Sequence, residues 1–84
     1  MERKNVYNLI DGERDYQNSK WPQGRPKGDE ECSVAEWLIF MEKCLNDAKN
    51  NIYNLKESEA LSCIRKVTAL GVACMEYNET ESRK

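Results

Sequence analysis

Eighty-four residues hold one domain with a modest core, and a chain this small commonly leans on a staple or a partner subunit for its stability. Thirteen basic against fifteen acidic side chains leave a net charge of −2, which excludes the basic balance of a protein that coats DNA or RNA. No apolar run approaches the ~18 residues of a membrane span. The opening MERKNVYNLIDGERDY lacks the apolar stretch and small-residue cleavage site of a secretory signal, so the expected setting is the cytoplasm.

Residues 1–20 carry a weak helical pattern. Asn5 is the candidate cap, and Val6, Leu9, Ile10 and Tyr16 fall near one face. Gly12 interrupts it at a cost of ~1 kcal/mol relative to alanine, and a single helix is preferred to two short turns meeting at Asp11-Gly12. Residues 21–32, WPQGRPKGDEEC, hold two prolines and two glycines, which exclude regular helix and predict a loop long enough to be functional.

The strongest signal lies in 33–55. Ser33 and Glu36 make the S-x-x-E capping box, in which hydroxyl and carboxylate satisfy each other's backbone amides. Val34, Leu38, Met41, Leu45, Ala48, Ile52 and Leu55 then follow steps of four and three along one stripe, which Trp37, Phe40 and Cys44 widen. Asparagines at 50, 51 and 54 predict the end of this helix, since asparagine tolerates a left-handed terminus. A second long helix is predicted over 57–77, with Glu57 and Glu59 at the positive end of its dipole and an uncharged half, VTALGVACM. Residues 78–84 should fray.

The short connection makes the two long helices antiparallel neighbours. The expected fold is therefore all-α: one helical domain, 1–84, in which a hairpin and an N-terminal helix assemble into a homo-oligomeric bundle. Apolar residues point in too many directions for one seam, and Ala69, Gly71 and Ala73 would let another helix approach closely. Cys32, Cys44, Cys63 and Cys74 show no C-x-x-C spacing, and there is no histidine; the thiols are expected in the core rather than on metal or in disulfides.

The lack of histidine also excludes Ser-His and Cys-His catalysis within one chain, and no Gly-rich phosphate loop is present. Small helical pyrophosphohydrolases of the MazG-like type hold magnesium with E-x-x-E on one helix and E-x-x-D on the next. Here Glu36, Glu42 and Asp47 do not make that spacing, and Glu76 and Glu79 do so only at a fraying end. No cofactor or metal is expected, and no enzymatic activity.

The most suggestive segment is RDYQNSKWPQGRPK, residues 14–27. Arg14, Lys20, Arg25 and Lys27 stand there against a single acid, interleaved with Tyr16 and Trp21. Guanidinium groups bind phosphate and rings stack on bases, a combination suited to a nucleotide. Trp21 serves equally as an anchor on the hairpin, and Tyr16 suits core packing. Arg65, at the apolar boundary of the second long helix, is a further ligand candidate or a snorkelling surface side chain.

The runs E-R-D-Y-Q-x-x-K-W, S-V-A-E-W-L and R-K-V-T-A-L-G-V-A-C-M-E resemble a group of small phage- and prophage-encoded helical proteins, over about residues 13–78. That resemblance implies a host-cell cytoplasmic setting and a similarity of type to sponges that sequester nucleotide signals of bacterial defence. The expected function is stoichiometric capture of a small nucleotide-like ligand by an oligomer. The alternative is a module that docks an apolar face, on Trp37, Ile39 and Phe40, onto a host protein.

Overall fold

The computed structural model describes residues 1–20 and 32–83, so most of the expected 21–32 loop lies outside the described residues. Among these the chain is all-helical, with three helices and no strand: α1 (Arg3–Lys20), α2 (Val34–Tyr53) and α3 (Glu57–Tyr77). No described helix is long and apolar enough to cross a membrane.

Helix α1 runs unbroken through Gly12, where an added Cβ would meet nothing within 4 Å. It begins before the Asn5 cap expected from sequence, because the Asn5 and Val6 amides already donate to the Glu2 carbonyl at 3.0 and 3.2 Å. Helix α2 starts on the expected capping box: the Glu36 amide donates to Ser33 Oγ (3.2 Å) and the Ser33 amide to Glu36 Oε1 (3.0 Å).

Helix α2 ends at Tyr53, with Asn54 as its cap. Leu55, not an asparagine, takes the left-handed conformation (φ 60°). The Leu55 amide donates to Ile52 O at 3.0 Å and the Lys56 amide to Asn51 O at 2.8 Å, the paired bonds of a Schellman turn. Asn54 contributes differently, its side chain donating to the Asn50 carbonyl at 2.8 Å. The turn carries Leu55 off the apolar stripe to which its spacing assigned it and leaves it 93% exposed.

Helix α3 packs against both α1 and α2, whereas α1 and α2 do not pack on each other among the described residues. The middle helix of the layer is therefore α3, although α2 carries the stronger sequence signal. Between α2 and α3, Met41 Sδ lies 3.9 Å from the Cβ position of Gly71, and Asn51 Nδ2 donates to Cys63 Sγ at 3.6 Å. Ala69 and Ala73 are fully enclosed. The buried apolar set is otherwise Ile10, Trp37, Ala48, Ala60 and Cys63, mostly small side chains.

The predicted stripe of α2 is thus divided. Ala48 is buried and Met41 half-buried, but Val34, Leu38, Leu45 and Ile52 stand exposed.

Candidate functional site

Two regions carry chemistry: the polar seam between α1 and α3, and an open apolar groove between α2 and α3. The seam contains two of the residues picked from sequence. Arg14, with its side chain 8% exposed, donates from Nε to Glu76 Oε1 at 3.2 Å and from Nη1 to Gln17 Oε1 at 3.4 Å. Gln17 passes the chain of bonds on, its Nε2 donating to the Lys66 carbonyl at 3.4 Å. Arg65 donates from Nε to Glu13 Oε1 at 2.9 Å, a charge-assisted bond to a carboxylate that is 7% exposed. Glu13, Arg14 and Gln17 lie at i, i+1 and i+4, close enough around the helix for all three to reach α3. Each charge buried in the seam meets an opposite one, as burial requires.

These contacts change the reading of both arginines. Arg14 joins α1 to α3 through Glu76, and Arg65, its side chain 44% exposed, pairs through Nε with Glu13. Tyr16 points to solvent instead of packing in the core; Lys20 Nζ sits 5.8 Å from its ring centroid, in cation–π range. Trp21, Arg25 and Lys27 lie outside the described residues. The structure therefore brings Tyr16 and Lys20 together and separates them in role from Arg14 and Arg65.

The groove was not singled out from sequence. Leu45, Ala48, Lys49, Ile52 and Tyr53 of α2 face Glu57, Ala60, Leu61 and Ile64 of α3 across an open volume of about 610 Å³. Ala48 and Ala60 are its buried parts, and Leu45, Ile52, Leu61 and Ile64 stand exposed along it. The signal available in the sequence is angular: Val34, Leu38, Leu45 and Ile52 fall within about 40° on α2, beside rather than on the arc of Trp37, Cys44 and Ala48 that turns inward.

The apolar patch expected on Trp37, Ile39 and Phe40 is not one surface. Trp37 is only 3% exposed and meets the edge of Phe40 at 5.9 Å between centroids, with the rings at 88°. Its Nε1 is buried with no hydrogen-bond partner among the described residues. Among the described residues no three metal-ligating side chains cluster, and Glu76, one half of the E-x-x-E pair, is engaged by Arg14. All four thiols are unbridged; burial raises the pKa of Cys44, with Lys66 opposing that shift. Comparisons with protein families, curated proteins and solved structures gave no match.

Proposed function

We propose that this chain acts by binding rather than by catalysis, as a protein-interaction module whose working surface is the apolar groove of α2 and α3. The accompanying architecture is an antiparallel α2–α3 hairpin that becomes part of a homo-oligomeric bundle. The observation that carries this reading is the row of large aliphatic side chains left in water along the groove. Helical layers bury one apolar face against another layer, and here the second layer is missing among the described residues.

A photoreactive phenylalanine analogue placed at Leu61 of the full chain tests the reading in cells that express it. Covalent adducts are expected from Leu61 and not from Leu55, which is exposed off the groove. No adduct, or the same adducts from both positions, counts against it.

One observation favours a second reading, the capture of a nucleotide-like anion. Lys20 and Tyr16 put a cation over an aromatic ring at the last turn of α1, directly before Trp21 in sequence. With Arg14 and Arg65 engaged by acids, the binding set reduces to Tyr16, Lys20, Trp21, Arg25 and Lys27. Such capture would fit a phage-type sponge. Thermal melting against cyclic and linear nucleotides should then show a shift that Lys20→Ala and Trp21→Ala each abolish; absence of any shift rejects it.

A further inference from the structure

We infer that the groove of α2 and α3 is covered by the same groove of a second copy of this chain, an assignment that rests on the interaction role proposed above.

The shape of the groove favours a second copy. A row of exposed aliphatic side chains, Leu45 and Ile52 on one wall and Leu61 and Ile64 on the other, flanks a floor of two alanines, Ala48 and Ala60. Large and small positions alternate across the groove, so a second copy turned about a two-fold axis can seat its large side chains over the alanines.

Charge favours it too. Lys49 stands on the α2 wall and Glu57 on the α3 wall. Neither makes an ion pair within the chain among the described residues. A two-fold axis between the walls sets Lys49 of each copy against Glu57 of the other, forming the same pair twice. Self-pairing needs no charge that this chain does not already carry.

The test is sedimentation equilibrium on the full chain. Wild type should weigh twice the 9.8 kDa of one chain. Leu61→Glu should weigh one chain. Since loss of mass by unfolding and by lost pairing look alike in that variant, the surface variants Lys49→Glu and Glu57→Lys decide the matter. Each alone sets like charges together and should dimerise at least about tenfold more weakly. Mixed in equal amounts they should dimerise as tightly as wild type, because a heterodimer of the two restores opposite charges at both contacts; an effect confined within one chain gains nothing from mixing. Wild type at one chain mass overturns the inference, as does a mixture no tighter than its components. A monomer that still cross-links from Leu61 to a different protein overturns the second copy alone. A monomer with no adduct removes the interaction role as well.

Discussion

Arg65→Ala should release α1 from α3 before it unfolds anything else. The substitution leaves the Glu13 carboxylate, 7% exposed, facing no cation where a guanidinium stood at 2.9 Å. Breaking a fully buried pair costs about 3–5 kcal/mol, and breaking an exposed one about 0.2–1 kcal/mol. Arg65 is 44% exposed, so water and screening reach one partner only, and the expected cost is intermediate, about 2 kcal/mol. Because α1 touches α3 and not α2, the loss is local among the described residues. Amide hydrogen exchange resolved by residue is therefore the assay. Two kcal/mol corresponds to about 30-fold faster exchange through α1, with the α2 and α3 amides little changed. Glu13→Gln added to Arg65→Ala should recover roughly half of the loss, since a neutral amide costs less than a carboxylate to bury. Unchanged α1 exchange in Arg65→Ala refutes the latch; equal loss of protection in all three helices refutes its local character.

Three further outcomes are expected. Ser33→Ala removes half of the capping box and should cost about 1 kcal/mol, read as a lower melting temperature. Leu55→Gly should stabilise by roughly 0.5–1 kcal/mol in urea titration, because an exposed leucine at φ 60° bears a steric cost that glycine avoids. Trp37→Ala should cost about 3–5 kcal/mol. Trp37→Phe should cost less than about 1.5 kcal/mol, since it discards the unpartnered Nε1 along with ring contacts; a Phe variant as unstable as Ala would mean that Nε1 has an acceptor.

Local rules were legible in the sequence because they act over three or four residues. The capping box needs only Ser33 and Glu36 at the right interval, and the helical class follows from periodic apolar spacing. What escaped are choices made by tertiary contacts. Spacing places Val34, Leu38, Met41, Leu45, Ala48 and Ile52 on one stripe, but only packing decides that Ala48 is buried and Met41 half-buried while the other four stay exposed. Arg14 and Arg65 look like free cations until Glu76 and Glu13 arrive from the other helix, 62 and 52 residues away in sequence. Leu55 shows the same limit at short range: composition favours asparagine for the left-handed position, yet the register of the Schellman bonds assigns it to the leucine.

The two seams of α3 use different physics, and that difference has a consequence for assembly. Toward α1 the anchoring contacts are charged: Glu13 with Arg65 and Arg14 with Glu76, with Ile10 the one buried apolar side chain that α1 contributes. Toward α2, Ala60 lies in the floor of the aliphatic groove and Cys63 Sγ accepts from Asn51 Nδ2. A charged seam weakens as salt shortens the Debye length to about 3 Å at 1 M, whereas apolar burial does not weaken in the same way. Loosening α1 should therefore leave groove-mediated pairing in place. Glu13→Ala should speed α1 exchange while the sedimentation mass stays that of the wild type, and 1 M salt should do the same. If the mass falls to one chain when α1 is released, α1 itself belongs to the interface, and the groove alone is not the surface on which the chain associates.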